Sequence, residues 1–277
     1  MSGVQVMTDR NVIAPVAGVG LLALAAWGYM QYRKNQDEDP PDNGLRVKVL
    51  LDPGHEGAGL DPGAVKVVNG KQIIEADCNL TLALAVRDCL KARKVNVTLT
   101  RDRPTRLNVN ARKDIIKRIK PDIFVSIHHN APPGGAENVT GTWVMVSGEE
   151  DKAGTPLAQR NRQLATSIAD KVGPIIAHGR TDYKSTVKTD QEASGINYGV
   201  LSACREIGVP GVLLETAFIT DPIWQQDRLN GSYTASLAAA LGEAIFQHMP
   251  IANTAQKAWY GTEYSIEQRV SRCPCHS

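Results

Sequence analysis

Four side chains of the kind that bind metals or move protons follow apolar runs in this chain. They are His55, Glu75, His128 and Glu215. Two histidines and one carboxylate make up a common ligand set for catalytic zinc, which keeps its fourth position open for water. A further carboxylate that does not bind the metal can accept a proton from that water. The residue types therefore predict a catalytic zinc site, with Glu215 as its base.

Each of the four residues also has a structural explanation. A histidine at the end of a strand is often held by ordinary hydrogen bonds, and Glu215 could cap a helix. Taken singly, the residues favour those explanations. Open α/β sheets, however, collect polar groups at the carboxyl edge of their strands, so we expect the four to converge at one place. Their convergence favours the metal site.

The elements that would position these residues alternate between strands and helices. The patterns predict strands over residues 47–51, 95–100, 123–127, 142–146 and 211–214, and helices over residues 79–91, 109–119, 156–172 and 232–249. Such alternation is typical of one α/β domain. We expect a single three-layer domain, with a mostly parallel twisted sheet flanked by helices.

The remaining segments differ from this domain in composition. Residues 12–30 are uncharged and apolar, close to the roughly 20 residues that a membrane-spanning helix needs. They predict a transmembrane signal anchor, and a signal peptide cleaved near Ala23-Leu24-Ala25 is the alternative. The predicted organisation is an N-terminal tail and span over residues 1–34, an acidic flexible linker over 35–45, the catalytic domain over 46–250 and a polar tail over 251–277.

The charge balance argues against a nucleic-acid-binding protein. The 277 residues include 31 Lys and Arg against 29 Asp and Glu, a formal net charge of +2. Because the two signs are mixed along the chain, no strongly basic field is available to bind nucleic acid. The five cysteines show no paired zinc-finger spacing. The sequence does not indicate an oligomeric state.

Five sequence blocks resemble the type-3 family of zinc-dependent N-acetylmuramoyl-L-alanine amidases, enzymes that cut peptidoglycan. The blocks are LLDPGHEGAGLDPGAV (Leu50–Val65), IIEADCNL (Ile73–Leu80), LTRDRPTRLNVNARKD (Leu99–Asp114), IFVSIHHNA (Ile123–Ala131) and VPGVLLETAFITD (Val209–Asp221). They stand in the order found in that family. The resemblance implies that His55, Glu75 and His128 bind zinc and that Glu215 is the catalytic glutamate.

The resemblance also implies roles for neighbouring residues. Asn79, Asn130 and Arg112 are expected to bind substrate, and Arg101 matches a recurrent arginine of structural or substrate-positioning role. His129 is a departure, because the family usually has a small residue there. Adjacent strand residues point to opposite faces. We therefore expect His129 to support the site from behind or to face solvent, and not to bind the metal.

The activity implied is hydrolysis of the amide bond between N-acetylmuramic acid and L-alanine in bacterial peptidoglycan. The catalytic domain would face the cell wall, held by the membrane anchor or secreted. A host enzyme that remodels the wall and a phage-type lytic enzyme both fit. The Gly/Ala-rich span resembles the releasable anchors of some phage lysins, which favours lysis. The alternatives are a non-catalytic peptidoglycan-binding protein of the same fold and a zinc peptidase that acts on the stem peptide.

Overall fold

The computed structural model of the chain describes residues 47–57, 59–132, 134, 136, 139–230 and 233–250. The predicted membrane span, the acidic linker and the polar C-terminal tail lie outside the described residues. Among the helices of the described ranges, none is long and apolar enough to cross a membrane.

Strands and helices alternate along the described chain, much as the sequence patterns predict. In chain order the elements are β1 (Lys48–Pro53), β2 (Val65–Val68), β3 (Lys71–Ile74), α1 (Glu75–Ala92), β4 (Asn96–Leu99), α2 (Val109–Ile119), β5 (Ile123–Asn130), β6 (Thr142–Val146), α3 (Gly148–Ala153), α4 (Pro156–Ala177), β7 (Ser185–Thr189), α5 (Asp190–Ser194), α6 (Gly199–Glu206), β8 (Gly211–Phe218), α7 (Pro222–Asn230) and α8 (Tyr233–Gln247).

The central sheet, within the described residues, has six strands in the order β4-β1-β5-β8-β6-β7. All neighbouring strands are parallel except β6 and β8, which pair antiparallel. A mostly parallel sheet requires crossover connections, and the intervening helices supply them. The prediction of an α/β fold with a mostly parallel sheet flanked by helices is confirmed.

Alternate residues of the buried strands pack into two separate cores. Val49 and Leu51 belong to the larger core, together with residues of α1, α4 and α8. Leu50 lies between them in sequence but belongs to the smaller core, with residues of α2 and α6. Successive side chains of a strand point to opposite faces. A strand covered on both faces therefore reads as a continuous apolar run, which is why these strands are recognisable in the sequence.

Several elements have no counterpart in the sequence predictions. The hairpin β2–β3 and the edge strand β7 are short, and most of their residues are exposed or half-buried. They therefore lack the buried apolar run that marks the central strands. The short helices α3, α5, α6 and α7 were also missed. Helix α1 begins at Glu75, four residues before the predicted start at Asn79.

Candidate active site

Three of the four predicted site residues lie in the carboxyl-terminal half of a central strand or just after it. His55 follows β1, His128 lies within β5, and Glu215 stands opposite His128 in β8. The sequence patterns predict that β5 and β8 end just before these two polar residues. That prediction is wrong, because both strands continue beyond them. Polar side chains are tolerated inside these strands because they line an open cleft.

Glu75 reaches the same place from a different element. It is the first residue of α1 and directly follows β3, so it does not stand at the edge of the central sheet as the sequence suggested. Its Oε2 accepts a hydrogen bond of 2.9 Å from the backbone N–H of Ala64, just before the hairpin. A carboxylate at a helix N-terminus is also favoured by the helix dipole. The hairpin and the helix start together position Glu75.

The two histidines and Glu75 are close enough to share one metal ion. Their ligand atoms all lie within 4.8 Å of one another. Glu75 Oε1 is 3.0 Å from His55 Nε2 and 3.1 Å from His128 Nδ1. Gly54 and Gly63 leave space for this group, because a Cβ there would lie 2.2 Å from the His128 ring and 2.5 Å from Glu75 Oε2, respectively. The structure thus brings together the three residues expected to be ligands.

The two glutamates of the site differ in their electrostatic state. Burial acts to raise the pKa of Glu75, but hydrogen bonds with His128 and His55 outweigh it and hold that pKa well below its ordinary value. Burial, with the charge of Glu75 added, raises the pKa of Glu215 well above its ordinary value. Glu215 Oε2 is buried without a hydrogen-bond partner among the described residues. A buried oxygen without a hydrogen-bond partner destabilises the fold unless a ligand or a cation contacts it.

His55 is held in position by side-chain and backbone contacts. Its Nδ1 lies 2.9 Å from Asp61 Oδ2, which leaves Nε2 facing Glu75. A carboxylate behind one ring nitrogen is the usual partner of a metal-binding histidine. Its backbone has a φ of 60°, a left-handed conformation that is uncommon outside glycine. Arg112 Nη2 donates to the carbonyl of His55 at 2.5 Å and stabilises this turn.

Two buried arginines brace the turn between β1 and His55. Arg101 donates to the carbonyls of Pro53, Gly54 and Ala76 over 2.7–3.0 Å. Arg112 donates to the carbonyl of Pro53 and forms a buried ion pair with Asp52. The guanidinium of Arg112 is thus engaged with the protein itself. Arg112 therefore positions the loop of His55, and because it also lines the cleft, its expected binding of substrate stays a prediction.

Replacing Arg112 with leucine should destabilise the fold by about 3–5 kcal/mol, because breaking a buried ion pair leaves a charge uncompensated. Here that charge is the carboxylate of Asp52, which is 1% exposed. Thermal or urea unfolding of the full chain measures the loss. Arg118→Leu is the matched control, since Arg118 is an exposed residue of the same helix. We expect that control to stay within about 0.5 kcal/mol, and an equal effect of both changes would contradict the bracing role.

Asn79 lies behind Glu75 and does not face the cleft. Its side chain is fully buried, and Nδ2 donates to Glu75 Oε1 at 3.3 Å and to the carbonyl of Gly54 at 3.4 Å. A side chain without exposed surface cannot contact substrate, which corrects the role expected from the resemblance. Asn130 is the half-buried last residue of β5, and its binding of substrate stays a prediction.

His129 points away from the cleft and is 3% exposed. Its Nδ1 lies 2.8 Å from Asn79 Oδ1, and its ring packs against Trp224 with centroids 5.0 Å apart. Burial lowers its pKa to about 3, so the ring is neutral at ordinary pH. The expectation that His129 faces solvent is wrong, and the alternative of support from behind the site fits these contacts. The sequence did not indicate this burial, because either face of a strand can be covered.

A cleft of about 670 Å³ opens in front of His55, His128 and Glu215. Its wall includes Leu107, Val109, Ile196 and Tyr198. Sequence reasoning missed these wall residues, because Val109 was assigned to an amphipathic helix and residues 196–198 to no element. Val109 and Ile196 are more than half exposed. This exposure beside a polar cluster is visible only in the folded structure, so the sequence offered no signal for these wall residues.

Comparisons with known proteins agree on one family. A match to the family described as N-acetylmuramoyl-L-alanine amidase covers residues 49–247. The N-acetylmuramoyl-L-alanine amidase AmiC of Neisseria meningitidis is 27% identical over 218 residues, which are 69% of this chain and 49% of that protein. The endolysin of Bacillus phage SPP1 is 33% identical over 172 residues, 62% of this chain and 54% of that protein. The chain therefore spans about half the length of these curated relatives.

The fold also matches a solved structure. The crystal structure of N-acetylmuramoyl-L-alanine amidase from Clostridium difficile 630 is 25% identical, with a TM-score of 0.57. The match covers 74% of this chain and 97% of that one. The architecture described above is thus shared by nearly the whole of that enzyme structure.

Proposed function

Since the chain belongs to the N-acetylmuramoyl-L-alanine amidase family, we propose that it hydrolyses the amide bond between N-acetylmuramic acid and L-alanine in bacterial peptidoglycan. The family membership confirms the resemblance carried by the five sequence blocks. One observation supports the proposed activity most directly. Glu215 lines the same cleft as His55 and His128, and one of its carboxylate oxygens is buried without a hydrogen-bond partner among the described residues.

The residues of the site fit a zinc ion. His55, Glu75 and His128 would hold it, since two imidazoles and one carboxylate are a ligand set of catalytic zinc sites. The unpartnered oxygen of Glu215 favours the same conclusion, because a buried carboxylate beside Glu75 calls for a nearby positive charge or donor. Zinc bound there would supply Lewis-acid chemistry, polarising the scissile carbonyl and making a water molecule more acidic.

The protein's own residues would then divide the remaining work. Glu215 accepts a proton from the attacking water and delivers it to the departing nitrogen of L-alanine, which is a poor leaving group unless protonated. Asp61 holds the ring of His55 so that Nε2 faces Glu75, where the metal would be bound. The raised pKa of Glu215 suits the second half of its task, since a carboxyl that holds its proton can also donate it.

The cellular setting follows from the substrate. Peptidoglycan lies outside the cytoplasmic membrane, so we propose that the domain works there. Anchoring through residues 12–30 stays a prediction. Relatives include both a bacterial amidase and a phage endolysin, and the proposed reaction is common to wall remodelling and lysis.

Digestion of defined muropeptides tests this proposal. We expect zinc-loaded full-length protein to release stem peptides that begin with L-alanine, identified by mass spectrometry, and the chelated protein to release none. Peptides cut within the stem would instead indicate a zinc peptidase. A folded, zinc-loaded protein that binds peptidoglycan without releasing products would indicate a non-catalytic binding protein.

A further inference from the structure

A buried chain of hydrogen bonds leads from Glu75 through Asn79 to His129. All three side chains are at most 5% exposed. His129 does not touch the cleft, but its neighbour His128 does. We propose that His129 is a positioning residue that fixes the carboxylate of Glu75 by locking the orientation of the Asn79 amide. This inference rests on the proposed function, in which Glu75 binds zinc.

The surroundings of Asn79 allow one orientation of its amide. Nδ2 lies 3.3 Å from Glu75 Oε1 and 3.4 Å from the carbonyl oxygen of Gly54. Both of these atoms only accept hydrogen bonds, so the NH₂ group must face them. The oxygen Oδ1 then faces His129 Nδ1 at 2.8 Å. Because Oδ1 can only accept, the ring of His129 must carry its proton on Nδ1 and donate it.

Without that donor the same orientation of the amide would be less stable. Oδ1 would be a buried acceptor without a partner, a state that costs about 1–3 kcal/mol. A flipped amide would avoid this cost only by placing its oxygen against Glu75 Oε1, where two acceptors repel. His129 therefore stabilises the orientation that donates to Glu75.

His129 is itself held firmly enough to serve this purpose. Its ring packs on Trp224, which is fully buried. Its backbone N–H donates to Glu75 Oε1 at 3.3 Å. That oxygen is the one next to both His55 Nε2 and His128 Nδ1. The hydrogen-bond chain thus ends on the oxygen of Glu75 that faces the two histidines.

Two substitutions at position 129 separate the hydrogen bond from simple packing. His129→Phe keeps an aromatic ring against Trp224 but removes the donor. His129→Asn loses the ring but can place an NH₂ group near the position of Nδ1. Alanine is a weaker test, because it would leave room for a water molecule that makes the same bond. Thermal unfolding of each metal-free variant checks that it is folded.

The readout is the zinc dissociation constant, measured by competition with a chromogenic chelator. We expect His129→Phe to weaken zinc binding about 10–100-fold, as removal of an outer partner of a metal ligand does. His129→Asn should stay within a few-fold of the unmodified protein. In an Asn79→Ala background, His129→Phe should have no further effect on zinc affinity.

The inference is overturned if His129→Asn loses zinc affinity while His129→Phe retains it. That result would show that only the packing of the ring matters. If His129→Phe does not fold, His129→Asn alone decides, since loss of zinc affinity in that variant contradicts the proposal. An unmodified protein that binds no zinc overturns the proposed function together with this inference. An unmodified protein that binds zinc and cleaves muropeptides, with a His129→Phe variant of equal affinity, overturns this inference alone.

Discussion

Replacing Glu215 with glutamine should reduce muropeptide cleavage by about 10²–10⁴-fold, the usual contribution of a general acid–base group. Glutamine keeps the size of the side chain but cannot accept the proton of water. Glu215 is not one of the three residues that converge as metal ligands, so zinc should remain bound at one ion per chain. Release of labelled fragments from peptidoglycan, together with elemental analysis of zinc, measures both quantities.

The stability of this variant gives an independent check. Burial raises the pKa of Glu215, and one of its oxygens has no hydrogen-bond partner within the described part of the chain. A neutral amide at this position should therefore not destabilise the fold. Glu206→Gln is the matched control, because Glu206 is an exposed glutamate that pairs with Lys117 at the surface. Cleavage by Glu215→Gln within tenfold of the unmodified rate would exclude Glu215 as the base.

Replacing His55 with alanine should abolish both zinc binding and cleavage. Removing an outer partner of a ligand already weakens metal binding about 10–100-fold, and loss of a ligand itself should exceed this. The remaining donors, Glu75 and His128, make an incomplete set for catalytic zinc. Isothermal titration calorimetry measures the loss of zinc binding. The muropeptide assay at saturating zinc measures the loss of cleavage.

His178→Ala is the control for this change. His178 is an exposed histidine after α4 that contacts Asp227, and it does not line the cleft. We expect the His178 variant to bind zinc and cleave as the unmodified protein does. Tight, stoichiometric zinc binding by the His55→Ala variant would show that His55 is not a ligand and that other residues bind the metal.

The sequence predicts the central strands well because each is buried on both faces. Leu50 and Leu51 belong to opposite cores, and so an uninterrupted apolar run marks the strand. The hairpin β2–β3 escapes prediction for the opposite reason, because its residues are partly exposed. Glu75 could accordingly be chosen by residue type and motif, but the element that carries it could not.

The roles of residues around the site depend on which way a side chain points. Asn79 and Arg112 stand in the same motifs as the ligands, yet Asn79 is buried behind Glu75, and the guanidinium of Arg112 is bonded to the turn that carries His55. A residue that belongs to a motif lies near the site. The motif alone does not show whether that residue contacts substrate or holds other site residues in position. For His129 the alternation of a strand correctly predicts that it points away from His128. Only the packing of α7, through Trp224, determines that this opposite face is covered.

The bracing of the His55 turn by Arg101 and Arg112 has a consequence for the order of folding. The hydrogen bonds join residues 47 positions apart for Arg101 and Gly54, and 57 positions apart for Arg112 and His55. Contacts of such sequence separation form late, since the entropy of closing long loops must first be overcome. Glu215 arrives later still along the chain, with β8. A nascent or truncated chain would therefore lack an assembled active site. The protein should hydrolyse its substrate only after the whole domain has folded.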